Sequence, residues 1–275
     1  MQRIHPTILP FGARAGGERT IMSGRRAWAV LLLVVFAPTF WETLASSQPL
    51  PRLTRQQVEA VLRLDKNLAL RDLSGLDLTG LNLRGANLRE ANLTAVNLEG
   101  VALDGANLRR AILLRANLRR AGLTDADLGE ADLTDAYLDQ VIAVRSTWIR
   151  ATPVLANLPG ANLAQVDMRE ARFERTVFNG ANLTEGRFAG GNFLGAWMRG
   201  VTLDKADLTS ASLALADLTG ASLRSARLNG TNFSGANIQG AVFAHANVSE
   251  ALHLDAARNA DAAIWEDESS VDSKP

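Results

Sequence analysis

The sequence contains no cysteine, which excludes disulfide frameworks, zinc fingers, thiol nucleophiles and iron–sulfur sites. It also lacks net charge. Lys+Arg and Asp+Glu each number 29 in 275 residues, which argues against a nucleic-acid binder held by a basic surface and equally against an acidic mimic of nucleic acid. Aromatic residues make up only 5% although 47% of the chain is hydrophobic, so a core must be built from small and medium aliphatics. Histidine is scarce as well: His5, His245 and His253 are the three, and none has a carboxylate and a nucleophile spaced around it. No catalytic residue, metal ligand or cofactor site is expected. The carboxylates Asp125, Asp127, Glu130, Asp132, Asp135 and Asp139 crowd one stretch, but a cation needs oxygens converging on one point. The arginines Arg109, Arg110, Arg115, Arg119 and Arg120 are interleaved with acidic residues at a fixed distance along the chain, which favours solvated ion pairs over a phosphate site.

The first 45 residues have the parts of an export signal. Arg25 and Arg26 precede the apolar run Ala27 to Ala37, and Thr43-Leu44-Ala45 offers a small-residue exit, so a mature chain is expected to start near Ser46. Met22 would begin a signal of more usual length. The alternative is an uncleaved membrane anchor over residues 27–45, weakened by Pro38 and Glu42. Either route places the chain from residue 46 onward in a periplasm-like or thylakoid-lumen-like compartment, with the membrane touched only through this segment. Residues 46–65 read as a linker and a short amphipathic helix that caps the region beginning at residue 66. Thr54 and Gln57 have capping-box spacing, and Val58, Val61 and Leu62 share one face.

From 66 to 250 a five-residue period takes over, as in L-N-L-R-G, A-N-L-R-E and A-D-L-T-S. Taking Leu68, Leu73 and their successors to Val248 as the central position i gives 37 in-phase units. The central residue is mostly Leu, with Phe at 173, 178, 188, 193, 233 and 243. Position i−2 is small, mainly Ala, and i−1 is mainly Asn, Asp, Ser or Thr. A helix cannot keep this pattern on one face, since five steps of about 100° overshoot a turn. Strand alternation fails too, because five is odd. The backbone must turn a corner every five residues.

These A-(N/D)-L-x-x units resemble the pentapeptide-repeat family. The resemblance implies an all-β fold, a right-handed quadrilateral β-helix with 20 residues per coil and short helical caps. It also implies that i and i−2 point inward while i−1, i+1 and i+2 face solvent, with Asn, Asp, Gly and Ser serving polar corners. About nine coils give a rod of roughly 45 Å at the inter-strand spacing of about 4.8 Å.

The 20-residue coil has independent support in the charges. Over 66–250, residues 20 apart form fourteen opposite-sign pairs and one like-sign pair, Arg89/Arg109. Glu90, Arg110, Glu130, Arg150 and Glu170 alternate in one such column, and Asp167, Arg187, Asp207 and Arg227 in another. Residues 141–155, with Ala143, Trp148 and Pro153 at central positions, are expected to form a distorted coil or a loop. Residues 251–265 are expected to cap the second end, with Ile264 and Trp265 docking, and 266–275 to be a disordered tail.

The functional expectation is a non-enzymatic exported scaffold for protein–protein interaction, whose partner is an unidentified protein or a second copy in a homodimer, with no nucleic acid. The alternative is a cytoplasmic, DNA-mimicking protector of gyrase, a role the family contains. The candidate surface consists of outward apolar residues. Ile112, Leu114, Val154, Leu155, Leu194 and Leu215 fall on one face of the 20-residue map, and Tyr137, Val177 and Trp197 on the next.

Overall fold

Five backbone N–H groups per repeat must find acceptors, and the unit Ala116–Arg120 shows where each goes. In the computed structural model, which describes residues 51–265, Leu118 N–H donates to Tyr137 O in the following coil at 2.7 Å and Arg120 N–H to Asp139 O at 2.9 Å. Asn117 N–H donates to Val96 O in the preceding coil at 2.9 Å, and Ala116 N–H closes the turn onto Leu113 O at 2.9 Å. The remaining amide, at i+1, points outward and is taken by a side chain: Arg119 N–H donates to Asn117 Oδ1 at 3.3 Å. No donor is left over.

The backbone bonds recur along the chain and produce a four-sided solenoid with 20 residues per coil, while the i+1 amide finds a side-chain oxygen in most repeats but not, for example, at Leu114, Asp139, Val144 or Asn179. Parallel bridges join residues 20 apart on all four faces, for example Asn67↔Asn87, Asp72↔Asn92, Asp77↔Asn97 and Asn82↔Ala102. Faces A, B, C and D begin at the central residues Leu68, Leu73, Leu78 and Leu83, respectively. Each pass along a face contributes a single bridge, so no strand forms among the described residues. At every corner from Leu70 to His245, the i+2 residue is left-handed; fourteen of these residues are glycines and the others pay for the conformation. Among the i+2 corners Asp appears only at 125 and 135, so corners are not where most Asn and Asp stand. They stand at i−1 on the flat faces, half-buried, because the i+1 amide needs a carbonyl or carboxylate oxygen.

The core is the column of central residues with Ala at i−2, buried without exception from Leu83 to Phe243. Bulk at one position is offset at the next. Trp148 is fully buried beside Ala143, and its Nε1–H donates to Ser146 Oγ at 2.7 Å, which in turn donates to Ala143 O at 2.6 Å. Phe173, Phe178, Phe188 and Phe193 form one ring cluster, with Phe173 and Phe193 stacked at 4.4 Å. Glycine replaces alanine at i−2 where these rings need room. A Cβ on Gly186 would lie 2.4 Å from the Phe188 ring, and one on Gly191 3.2 Å from Phe193.

Residues 141–155 are consequently not a distorted coil or a loop. Ile142 and Thr147 bridge Asn162 and Asp167, and the corners at Arg145, Arg150 and Leu155 keep their conformation. Pro153 costs one ladder bond only. It has no N–H, and the bridge between positions 152 and 172 is the one that its face lacks.

Both ends differ from the expected register. Leu53 is already a buried central residue, its N–H bound to Asp72 O at 2.9 Å. Helix α1, Arg55–Leu64, then takes the place of two faces of this initial coil and presses Val58 and Val61 into its mouth. Thr54 and Gln57 form the reciprocal capping box. Two cations stand in for the missing backbone donors. Arg55 Nη1 and Nη2 donate to Asp77 O at 2.7 Å and Thr79 O at 2.8 Å, and Lys66 Nζ donates to Arg84 O at 2.9 Å. At the other end Val248 leaves the register for a 3-10 turn, Val248–Glu250, so the in-phase core closes at Phe243. The cap is not simply helical: Leu252, Arg258 and Ile264 continue the ladder onto Asn232, Asn237 and Val242 in six-residue steps. Trp265 closes the tube by stacking on Phe243 at 4.8 Å.

Two predictions test this packing. Gly186→Ala is expected to cost about 1–3 kcal/mol by overpacking, and Phe188→Leu in the same chain should recover most of that loss in a denaturation double-mutant cycle. Leu118→Asp buries an unpaired carboxylate at a cost of several kcal/mol. Asn117→Asp keeps the acceptor for Arg119 N–H but loses the donor that reaches Asn97 Oδ1 at 3.0 Å and Glu99 Oε2 at 3.3 Å, so a loss of about 1 kcal/mol is expected. Equal melting temperatures for the two aspartate variants would refute the inward and outward assignment.

Candidate interaction surface

The ladder leaves i−1, i+1 and i+2 for the outside, and most of these positions carry polar groups that work for the fold. Arg110 pairs with Glu90 at 3.5 Å and with Glu130 at 3.7 Å; Arg145 grips Asp125 at 2.8 Å, and Arg150 reaches Glu170 at 2.7 Å. The Arg145 guanidinium beside Asp125 holds that carboxyl below its ordinary value. The crowded carboxylates thus diverge onto arginines: Asp135 pairs with Arg115, Asp139 with Arg119, and Glu130 also with Arg109. Among the described residues no group of three or more His, Asp or Glu converges as a metal site.

Against this background the apolar outward residues stand apart. Ile112, Tyr137, Leu155, Leu194, Trp197 and Leu215 are exposed, while Leu114, Val154 and Val177 are half-buried. Ile112 lies on face B. Leu114, Val154 and Leu194 follow it at i+1, and Leu155 and Leu215 sit at the corner between faces B and C. Tyr137, Val177 and Trp197 share the i−1 column of face C, where Val177 bridges Trp197 and Trp197 bridges Asp217. The residues do not form an unbroken stripe. Asp132, Thr134 and Asp135 separate Ile112 and Leu114 from Val154 and Leu155, and Arg172, Glu174 and Arg175 separate those from Leu194. Arg119 covers one face of the Tyr137 ring at 4.6 Å, a cation–π contact that accounts for this residue within its own rod.

Ile142 is a further exposed apolar residue, at i−1 of face D, away from the others. The i−1 rule that singled out Trp197 applies to it equally and would have found it.

Trp197 occupies a position that the fold ordinarily gives to an acceptor. With no oxygen at 197, the i+1 amide of Arg199 turns to Asn179 Oδ1 in the preceding coil, at 3.0 Å. The same substitution appears where Gly122 and Ser222 stand at i−1, served by Asp104 and Asp204. Arg199 Nε donates to Asp217 Oδ2 at 2.5 Å beside the indole. Burial raises the Asp217 carboxyl, but the Thr219 hydroxyl, the Arg199 guanidinium and the Thr219 amide together hold it below its ordinary value. Leu215 carries its side chain at a left-handed corner, φ 58°, where glycine would be unstrained. Neither residue contributes an acceptor or an unstrained corner to the coil.

The comparisons with known proteins concern the frame of this surface. The chain superposes on HetL, a pentapeptide repeat protein involved in heterocyst differentiation regulation from the cyanobacterium Nostoc sp. strain PCC 7120, with a TM-score of 0.70 and 29% identity, over 78% of this chain and 100% of that one. Trypsin-treated QnrB1, a plasmid-mediated fluoroquinolone resistance protein, is 16% identical over 72% of this chain and 91% of its own, with a TM-score of 0.41. Among curated proteins the sequence has no significant match. The family model for pentapeptide repeats matches in eight copies, over 72–110 and 102–140 and then 156–193, 178–213, 192–224 and 216–252. It passes over 141–155, where Ala143, Trp148 and Pro153 depart from the consensus while the coil does not. With the repeat matched over more than half its length and the coil closed by the same five-residue bonding throughout, this chain belongs to the pentapeptide-repeat family.

Proposed function

We propose that this protein is a non-enzymatic scaffold whose apolar edge between faces B and C binds another protein. The observation that carries the reading is the pair Trp197 and Leu215. Trp197 stands where most repeats carry an acceptor, with Asn179 serving the Arg199 amide in its place, Leu215 stands at a left-handed corner, and each exposes a large apolar side chain (52% and 60%). The tube itself is filled by side chains with no exposure, from Leu68 through Phe233, which leaves the outer surface as the place for function. Nothing in the charge supports the gyrase-protecting alternative, since acidic and basic residues balance at 29 each.

Export is part of the proposal and rests on Arg25-Arg26, the run Ala27 to Ala37 and the exit at Ala45; these residues lie outside those the structure describes. Among the described residues no helix is long and apolar enough to cross a membrane.

Restoring the consensus at both positions tests the reading. Trp197→Asn combined with Leu215→Gly is expected to leave the melting temperature unchanged or raise it, by relief of about 1 kcal/mol of left-handed strain, while weakening crosslinked capture of the partner. Unchanged capture would reject the edge as an interface, and a large loss of stability would show that the cluster serves the coil. Fractionation of the full chain is expected to place it outside the cytoplasm with a mature terminus near Ser46. Cytosolic protein retaining residues 22–45 would overturn export.

A further inference from the structure

The columns of the B–C edge have a symmetry that identifies the partner. Read along the rod at 20-residue steps, the corner column is Leu155, Arg175, Gly195, Leu215. The i+1 column beside it is Val154, Glu174, Leu194, Ala214, and the i−1 column of face C is Asn157, Val177, Trp197, Asp217. Place a two-fold axis in the contact plane, at right angles to the rod and midway between positions 175 and 195. Each column then faces itself in reverse. Leu155 meets Leu215 of the second copy, Val177 meets Trp197, Val154 meets Ala214, Glu174 meets Leu194, and Asn157 meets Asp217. Arg175 meets Gly195, the one corner in the set without a side chain.

From this self-complementarity, which rests on the proposed use of the edge as an interface, we propose that its partner is a second copy of this chain, packed side by side and antiparallel. Charge supports the same arrangement. The guanidinium of Arg175 makes no hydrogen bond or ion pair to a described residue. Next to it, Glu174 has the one buried side-chain oxygen without a partner among the described residues, its other oxygen accepting from Arg172 and Asn192. Under the two-fold axis, Arg175 of one copy lies a single coil, about 4.8 Å along the rod, from Glu174 of the other, whose unpartnered oxygen is buried in its own rod and must turn outward to be met. The surrounding columns pair Arg172 with Asn192, Arg199 with Asn179 and Thr152 with Ser212, and the two Arg175 side chains come one coil apart across the axis with the two Glu174 residues beside them. Displaced by one coil, the same surfaces would set Arg175 against Leu215 and Trp197 against Trp197, losing this match. An isologous contact of this kind closes on itself and does not propagate into a fibre. It is small, spanning the three coil steps between Leu155 and Leu215, and suits a reversible dimer with micromolar dissociation.

The absence of cysteine makes the test clean. In the full chain, Leu155→Cys and Leu215→Cys are introduced separately, and each variant is oxidised alone and then mixed with the other. Antiparallel pairing brings 155 of one copy against 215 of the second, while like positions stay about 14 Å apart, beyond the roughly 7 Å a disulfide tolerates. Crosslinked dimer is therefore expected in the mixture and not in either variant alone. Sedimentation of the parent should show a dimer that Trp197→Asn with Leu215→Gly weakens at least tenfold. Crosslinking of either variant with itself as readily as in the mixture would overturn the arrangement, as would a parent that stays monomeric up to several hundred micromolar. If that monomer still loses a crosslinked heterologous protein on Trp197→Asn with Leu215→Gly, the second copy is refuted as partner and the interface reading stands. If it neither self-associates nor loses such a partner, both fail.

Discussion

The fifth amide governs this structure. Four of the five N–H groups in each repeat are paired by the path of the backbone, two up the rod, one down and one across the turn. The last, at i+1, has no backbone acceptor within reach, and an unpaired amide in a half-buried position costs on the order of 1–3 kcal/mol. That single requirement explains why Asn and Asp stand two residues earlier and why their side chains lie flat along the faces. It also explains why Asp104 and Asn179 step in when Gly122 and Trp197 cannot supply an oxygen, and why Asp204 serves the Arg224 amide while the Ser222 hydroxyl donates to the same carboxylate. The leucine column is the visible signature of the fold, and the polar column supplies the fifth acceptor in most repeats; the coil also continues through Ile112, Tyr137, Ile142 and Val177, where that amide has no acceptor among the described residues.

Periodicity made much of this legible beforehand. An odd period of five excludes helix and strand, and opposite charges at a separation of 20 select four faces per coil without reference to any relative. The ion pairs Arg84–Asp104, Arg119–Asp139 and Arg187–Asp167 lie where that register puts them. What the pattern could not convey was volume. Ala143, Trp148 and Pro153 each violate a positional average, so read singly they suggest distortion. Read together, the small residue makes room for the large one, and the proline gives up one bond in a ladder of many. Gly186 and Gly191 belong to the same class, since their reason lies in the adjacent Phe188 and Phe193 rings and not in their own column.

The ends were less legible for a related reason. Leu53 has the right spacing to be a central residue, but the helix after it hides the two units expected between it and Leu68. Beyond Phe243 the step lengthens from five to six, and a search at constant period loses the chain just where Leu252, Arg258 and Ile264 still pair. At the candidate interface the positional rule was sufficient to find the exposed apolar residues. It could not show that Arg119 occupies the Tyr137 ring, that charged coils divide the apolar ones, or that Asn179 frees position 197 from its structural duty.

The 20-residue coil also gives insertions and deletions a geometry. Gain or loss of a whole coil would slide everything beyond it along the axis by one inter-strand spacing, with its compass bearing unchanged. Gain or loss of one pentapeptide would instead turn all later residues by a quarter revolution. Between Leu155 and Leu215 either event would dismantle the edge; outside that interval a whole coil would change only the overhang of the rod. Length and bearing are separate variables in this molecule, and the chain can lengthen at one end without the proposed edge losing its heading.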